Sequence, residues 1–381
     1  MSVVDRVIAD PIQPAARAYR ESADHRYIPC LDGIRALAVL IVIFSHYGLG
    51  ALMPGAFGVT LFFFVSGFII TRLLIAEHAR YGAVFVRNFY LRRFWRLVPA
   101  LLAMVAAMTV FYSVTRPALA WPELYAAFFY YMNYYAIFHD TTMAFYPLWS
   151  LAVEEHYYLL FAFAFAAVWP MKRRLALAVS TVLAAVLLWR IYLALLAGGV
   201  PANYTQIATD TRVDSILFGA LFAIGLEFSA IRERLRRFDR GVVMLAAAAG
   251  LLLTFTIRNE VFRETVRYTL QGLALVPLFY GAMFGTSLAA ARRLLETAPL
   301  RYIGRLSYSL YLWNLPCLVL VGAALPDASP LPRYAASGVA TFLAAAASYY
   351  LVEQGCRRLR QRYRPGHAPA TRPLTPQLAA G

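Results

Sequence analysis

The chain has 381 residues, of which 61% are apolar and only 15% are charged. Soluble domains average about 45–50% apolar and about 25% charged residues, so this composition excludes an ordinary soluble globular protein. Apolar runs of the length that crosses a bilayer as a helix recur along the sequence. The net charge of +16 would suggest nucleic-acid binding in a soluble chain. In a membrane chain, basic residues first mark the cytosolic side, so we expect the lipid bilayer as a partner and no nucleic acid.

Ten apolar segments follow one another along the chain, and each is a candidate membrane span. Their approximate bounds are 36–53, 57–75, 97–116, 147–170, 175–197, 213–231, 241–257, 268–288, 307–325 and 334–353. Residues 117–146 are rich in Tyr and Phe and indicate an interfacial or re-entrant element on the outer side, where aromatic side chains are favoured. The predicted fold is an all-α polytopic membrane protein, a bundle of about ten transmembrane helices.

The distribution of basic residues sets the predicted orientation. Of the 36 Lys and Arg residues, 29 fall in the N-terminal arm, the tail and alternate connections, all of which lie on one side of a ten-span chain. Cytosolic loops carry this excess, so both termini are predicted to be cytosolic in a multi-pass protein of the bacterial inner (plasma) membrane. Residues 1–26 are predicted to be a cytosolic arm without a signal peptide, 27–362 the transmembrane domain and 363–381 a disordered cytosolic tail.

Span 1 places Arg35 at its cytosolic edge and His46 further along the same helix. Ten residues lie between them, which at about 100° per residue puts both on one face, about 16 Å apart along the axis. An ionisable residue inside a span is a functional candidate by default. His46 is therefore a candidate catalytic residue, the alternative being a histidine that only hydrogen-bonds a neighbouring span.

Span 4 contains the triplet Glu154, Glu155 and His156. Glu154 would lie at a depth from which it can meet His46, and a carboxylate beside an imidazole fixes its tautomer and supports it as a general base. We therefore expect Glu154 to be the second catalytic residue. The alternative is that a glutamate of this triplet pairs with a buried arginine such as Arg190.

Arg92, Arg93 and Arg96 lie together at the inner edge of span 3. With Arg35 they could form a cytosolic socket for a phosphate-bearing ligand, because guanidinium forks match phosphate oxygens. The alternative is a topology signal that contacts anionic lipid headgroups.

Candidate acceptor-binding residues lie near the outer ends of two spans. Asp210, Arg212 and Asp214 cluster at the outer end of span 6, where paired carboxylates could hold sugar hydroxyls, and a structural ion pair is the alternative. Ser150, near the start of span 4, is the fourth candidate.

Phe62 to Phe68, with Ser66 and Gly67, indicates close helix packing through small residues. The three cysteines are scattered without metal-ligand spacing, so no metal site is expected.

In combination, these motifs resemble the integral-membrane acyltransferase-3 family. The matching pieces, in family order, are Leu31-Asp32-Gly33-Ile34-Arg35 with His46, Phe62 to Phe68, Arg93-x-x-Arg96 with Pro99, Trp149-Ser150-Leu151-x-x-Glu154, Asp210-x-Arg212-x-Asp214 and Gly304-x-x-Ser307-Tyr308-Ser309-Leu310-Tyr311-Leu312-Trp313. The resemblance implies ten spans, an acyl-CoA donor reached from the cytosol, and a requirement for Arg35 and His46. This chain departs from the family at Asn314, where His is frequent, and after Glu353, where Pro is common.

The resulting hypothesis is transfer of an acyl group, most simply acetyl from acetyl-CoA, to a hydroxyl of a lipid-linked, exported or surface saccharide. His46 would act as general base or carry the acyl group as a covalent intermediate. One alternative keeps this chemistry but uses succinyl or a longer acyl donor, or a small-molecule acceptor such as a macrolide. Another class is a proton-coupled transporter or flippase, against which the lack of evident repeats counts.

Overall fold

A computed structural model of the protein describes residues 27–115, 121–201 and 203–363. In these ranges all regular structure is helical, as the sequence predicts. The predicted N-terminal arm and all but the first residue of the predicted tail lie outside the described residues.

Helices are numbered here in chain order. They are α1 (Pro29–Phe44), α2 (Gly55–Tyr81), α3 (Val86–Thr115), α4 (Trp121–Phe128), α5 (Met132–Phe138), α6 (Leu148–Val168), α7 (Lys172–Leu195), α8 (Tyr204–Ile207), α9 (Thr209–Gly225), α10 (Ser229–Arg237), α11 (Gly241–Thr256), α12 (Glu260–Glu264), α13 (Arg267–Met283), α14 (Ala289–Leu295), α15 (Ala298–Ala324), α16 (Pro330–Ala347) and α17 (Arg357–Arg362). Two π-helical segments, Ser45–Leu49 and Ser348–Glu353, extend α1 and α16.

Each of the ten predicted spans overlaps a helix in the described part of the chain. Six helical stretches are long and apolar enough to cross a membrane, or seven if the pair of helices bent by 106° after α9 counts as one span. One of the six is the 48-residue stretch that contains both α6 and α7. Helices α11 and α13 have only 16 and 17 residues, fewer than the roughly 20 that a span needs. The protein is thus a multi-pass membrane protein, and the count of ten spans stays a prediction.

The aromatic segment before α6 contains no long helix among its described residues. It forms α4 and α5, which have 8 and 7 residues. This agrees with the prediction that residues 117–146 do not add a span.

Contacts between helices give their relative directions. Phe63 meets Trp149 and Ser66 meets Glu154, so α2 and α6 are parallel. Lys172 pairs with Glu227 just beyond the end of α9, whereas Arg190 pairs with Asp214 near its beginning, so α7 and α9 are antiparallel. Both relations agree with the predicted order of the spans.

Glycines allow the central helices to touch through their backbones. A Cβ atom on Gly67 would lie 1.9 Å from the carbonyl oxygen of Ile216, and one on Gly219 would lie 2.0 Å from that of Phe64. A Cβ atom on Gly304 of α15 would lie 1.9 Å from the carbonyl oxygen of Asp32 in α1. Close packing of this kind is how small residues join membrane helices. It brings α1, α2, α9 and α15 into one central group, as predicted for the Ser66-Gly67 segment.

Candidate active site

A cavity of about 760 Å³, counting the part open to solvent, lies between α1, α2, α3, α6 and α15. Apolar side chains of α2 form much of its wall. Polar and charged side chains are set into this wall: Arg35, Ser66, Arg93, Arg96, Ser150, Glu154, Tyr158, Ser307, Tyr308 and Tyr311. An apolar wall with polar groups set into it is typical of a small-molecule site.

Arg35 and Arg93 line the cavity and have only distant acidic partners. Arg35 lies 3.9 Å from Asp32. Arg93 lies 4.0 Å from Glu155, and its guanidinium carbon is 3.5 Å from the centre of the Tyr158 ring. Both ion pairs are at the long limit for such contacts, so the two guanidinium groups keep hydrogen-bonding capacity for a ligand.

Among the described residues, the acidic neighbour of Arg96 is Glu353, which lies beyond ion-pair distance. Arg96 forms no ion pair within 4.0 Å with any acidic residue in the described ranges. It follows Arg93 by three residues on α3, a spacing that places both side chains on the same helix face. This end of the cavity therefore carries an excess of positive charge.

Arg92 lies apart from the three arginines that line the cavity. Arg92 is not among the described residues that line the cavity. One of its guanidinium nitrogens lies 2.7 Å from a carboxylate oxygen of Glu77, and another donates to the carbonyl oxygen of Tyr363 at 2.9 Å. Arg92 precedes Arg93 by one residue, which turns it by about 100° around the helix. It therefore joins α3 to α2 and to the end of the described chain.

Glu154 lies in the cavity wall, where its carboxylate accepts a hydrogen bond of 2.7 Å from the Ser66 hydroxyl. The predicted contact with His46 is replaced by this bond. Glu155, on the next position of α6, faces Arg93 rather than Arg190. The two glutamates thus meet different partners, as expected for consecutive residues of a helix.

His46 lies in the π-helical segment after α1 and does not line the cavity with Arg35. Its Nδ1 atom is 2.6 Å from Oδ1 of Asn314 on α15. The expected common face of Arg35 and His46 assumed a regular α-helix up to residue 46. The backbone leaves helical geometry only at Tyr47 and Gly48, after His46, and the His46 side chain meets α15 rather than the cavity wall.

Ser150 and Tyr311 form the polar end of the cavity away from the arginines. The Ser150 hydroxyl oxygen is 2.7 Å from that of Tyr311, and the Tyr311 hydroxyl donates to the carbonyl oxygen of Pro147 at 2.9 Å. Asn314 follows Tyr311 by three residues on α15. The partner of His46 therefore lies one helical turn beyond the cavity wall.

The three predicted acceptor ligands of span 6 do not form one open site. Asp214 makes a 2.7 Å ion pair with Arg190, and neither side chain is exposed by more than 1%. The buried guanidinium carbon of Arg212 lies 3.5 Å from the centre of the Tyr268 ring. Asp210 instead accepts hydrogen bonds from Tyr134, Trp189 and Tyr204. Asp214 and Arg212 are thus interior residues, and the ion pair of Asp214 is with Arg190 of α7 rather than within the cluster.

Sequence reasoning gave no site role to two hydrogen-bonding residues. Ser66 was interpreted only as a packing residue, yet it donates to Glu154. Glu353, in the second π-helical segment, accepts a hydrogen bond from Ser309 and interacts electrostatically with Arg35 and Arg96. Its position after a long apolar span, with no charge inside that span, is the one signal that could have singled it out. No group of three or more potential metal ligands occurs in the ranges that the structure covers.

These features define a class of protein, a multi-pass helical membrane protein with a cationic cavity enclosed by its helices. Comparison with known families is more specific. Residues 28–350 match the acyltransferase-3 family, described as an acyltransferase domain. Because this match covers most of the chain, the chain belongs to that family. Membership of this family shows that the protein is an acyltransferase and argues against the transporter hypothesis.

Two bacterial relatives illustrate the similarity. The peptidoglycan O-acetyltransferase OatA of Listeria monocytogenes is 28% identical over 353 residues, which are 87% of this chain and 56% of that protein. The O-acetyltransferase OatA of Staphylococcus aureus is 29% identical over 349 residues, 87% of this chain and 58% of that protein. The chain thus spans little more than half the length of these relatives. No solved structure gives a significant match.

Proposed function

We propose that this protein is a membrane-bound O-acetyltransferase that moves an acetyl group from cytosolic acetyl-CoA to a hydroxyl of a lipid-linked, exported or surface saccharide. The family supplies the acyltransferase activity. The activities for which the OatA relatives are named support the acetyl group and a saccharide acceptor. The inner (plasma) membrane and the cytosolic termini are part of the proposal and follow from the distribution of basic residues.

The observation that carries the proposal is the group of weakly paired arginines at one end of the cavity. Arg96 has no acidic partner within 4.0 Å among the described residues, and the partners of Arg35 and Arg93 are 3.9 and 4.0 Å away. Coenzyme A carries several phosphate groups, and phosphate is the ligand that guanidinium forks bind best. We place the phosphates of the donor here, with the pantetheine arm in the apolar part of the cavity.

The reacting end of the donor would then lie toward Ser150 and Tyr311. The acceptor oxygen attacks the thioester carbonyl, His46 takes the hydroxyl proton, and the carbon–sulfur bond breaks to release the thiolate of coenzyme A. In the covalent variant, the His46 imidazole attacks the thioester carbonyl and the carbon–sulfur bond breaks to release the thiolate of coenzyme A; the acceptor oxygen then takes the acetyl group from the imidazole, and its proton passes to the thiolate. The Ser150 hydroxyl can turn its proton from Tyr311 to the oxyanion, while Tyr311 keeps its own bond to Pro147.

Glu154 has a role toward the ligand rather than toward His46. Its carboxylate lies in the cavity wall and is bonded there to Ser66. It can accept a hydrogen bond from an amide N–H of the pantetheine arm or from the acceptor hydroxyl. Glu154 thus remains in the proposed mechanism, as a group that binds and orients a reactant.

The test is transfer of labelled acetyl from acetyl-CoA to a peptidoglycan-derived oligosaccharide by the purified full chain in lipid nanodiscs. His46→Ala should abolish transfer, and His139→Ala, which changes an exposed histidine, should not. Transfer by His46→Ala at the wild-type rate would disprove the catalytic assignment. Absence of transfer by the wild type with every acceptor tried would disprove acetylation of saccharides.

Parallel reactions separate the alternatives in donor and acceptor. Succinyl-CoA and a longer acyl-CoA replace acetyl-CoA in one arm, and a macrolide replaces the oligosaccharide in another. We expect the highest kcat/KM for acetyl-CoA with the oligosaccharide. A higher value for another pair would reassign the substrate while keeping the chemistry.

A further inference from the structure

Asn314 is the hydrogen-bond partner of the proposed catalytic histidine. Its Oδ1 atom lies 2.6 Å from Nδ1 of His46, although 268 positions separate the two residues in the chain. The Asn314 side chain is completely buried, with 0% exposure. A buried amide must satisfy both of its ends, so its other contacts determine how it faces the histidine.

The second end of the Asn314 amide fixes its orientation. Its Nδ2 group donates a short hydrogen bond to the carbonyl oxygen of Tyr311. A carbonyl oxygen can only accept, so a flipped amide would place two acceptors against each other at Tyr311. Oδ1 must therefore face His46. Because Oδ1 also only accepts, the Nδ1 atom of His46 must carry a proton.

Further bonds hold the two helices in this register. The hydroxyl group of Tyr47, the neighbour of His46, donates to the backbone oxygen of Asn314 at 2.9 Å. The same hydroxyl lies 2.6 Å from the hydroxyl oxygen of Thr341 on α16. The next residue, Gly48, has φ = 86°, and a Cβ atom there would lie 2.7 Å from the Tyr334 ring. The chain around His46 is thus built to meet α15 in one arrangement.

We infer that Asn314 is a positioning residue that holds neutral His46 with its proton on Nδ1 and leaves Nε2 free as the proton acceptor. The inference rests on the proposed function, in which His46 is the general base. The acceptor hydroxyl gives its proton to Nε2 as its oxygen bonds to the acetyl carbon, and the carbon–sulfur bond breaks. The same proton then passes from Nε2 to the coenzyme A thiolate. During the reaction, Oδ1 of Asn314 keeps its hydrogen bond to Nδ1–H, which strengthens when the ring is charged.

A spectroscopic test reads the tautomer without reference to activity. Nitrogen-15 NMR of protein labelled at histidine, with the His46 signals assigned by their loss in His46→Gln, distinguishes a protonated from a bare ring nitrogen. We expect a protonated Nδ1 and a bare Nε2 in the wild type. Asn314→Leu, which keeps the size of the side chain, should lose this preference. A wild-type ring protonated at Nε2 would overturn the inference.

Kinetic variants separate positioning from folding. Asn314→Leu should lower kcat by about 10- to 100-fold, the worth of one hydrogen bond to a group that becomes charged, without raising KM for acetyl-CoA. Asn314→Asp keeps an oxygen acceptor toward Nδ1 and should restore part of this loss together with the Nδ1–H tautomer. Thr254→Val removes a buried hydroxyl on α11, away from His46, and should leave both tautomer and kcat unchanged. An equal loss in Thr254→Val would indicate a general loss of packing and overturn the inference.

The same assay distinguishes failure of this inference from failure of the proposed function. If His46→Ala is inactive but Asn314→Leu turns over like the wild type, Asn314 does not position the base, and the proposed function stands. If His46→Ala turns over like the wild type, both the general base and its positioning are wrong.

Discussion

Arg190 and Asp214 form an ion pair of 2.7 Å that has almost no exposed surface and joins α7 to α9. Removing one member of such a pair leaves a buried charge without compensation, which costs about 3–5 kcal/mol. We therefore expect Asp214→Ala to lower the free energy of unfolding by about this amount. Denaturant unfolding of the purified protein in detergent, followed by tryptophan fluorescence, measures the loss.

The same two helices provide a control for this prediction. Lys172 pairs with Glu227 at 3.0 Å, but the lysine side chain is 42% exposed. Exposed ion pairs contribute about 0–1 kcal/mol, so Lys172→Ala should change stability little. Equal losses in Asp214→Ala and Lys172→Ala would show that burial does not decide the worth of these pairs.

The close approach of α2 and α9 yields a second prediction. A Cβ atom on Gly67 would lie 1.9 Å from a backbone oxygen, which cannot move without shifting the helix. Gly67→Ala should therefore destabilise the protein by about 1–3 kcal/mol or more, the usual cost of overpacking. Thermal unfolding in detergent checks the change. Gly250→Ala, with nothing within 4 Å of the added atom, is the control and should be neutral or slightly stabilising.

Helix positions and local helix faces could be predicted from the sequence, because they depend on neighbours along the chain. The apolar runs coincide with helices, and the three-residue spacing of Arg93 and Arg96 places both at the cavity. The spacing argument also explains why Arg92 is absent from that wall. The close helix packing at Gly67 could also be predicted, from the small residues of its motif, and Gly67 does meet the backbone of α9.

Contacts between distant segments could not be predicted in the same way. His46 has Asn314 as its partner because α1 packs against α15, and no local periodicity encodes which helix the end of α1 meets. Arg190 was a candidate partner for a glutamate of span 4, but it pairs with Asp214. Several buried acidic residues were available, and only the packing of α7 against α9 selects among them.

The difference between Arg96 and Arg92 gives a third prediction. Arg96→Ala should raise KM for acetyl-CoA by about tenfold or more, because one charged hydrogen bond to a phosphate is worth about 1.5–3 kcal/mol. Arg92→Ala should leave this KM unchanged, since Arg92 is already paired with Glu77 outside the cavity. Initial rates over a range of acetyl-CoA concentrations measure both variants. A larger effect from Arg92→Ala would place the donor's phosphates elsewhere.

The bond between Ser66 and Glu154 gives the last prediction. Variants of its two members test the charge of the carboxylate and its orientation separately. The Ser66 hydroxyl donates to Glu154 at 2.7 Å in the cavity wall. We expect Glu154→Gln to lower kcat/KM by about 10- to 100-fold through loss of a charged acceptor, and Ser66→Ala to have a smaller effect. Rates of acetyl transfer by both variants and the double variant form a mutant cycle. A coupling of about 0.5–3 kcal/mol is expected for groups in direct contact, so the double variant should lose less than the two single losses combined. Strict additivity would mean that Ser66 does not act through Glu154.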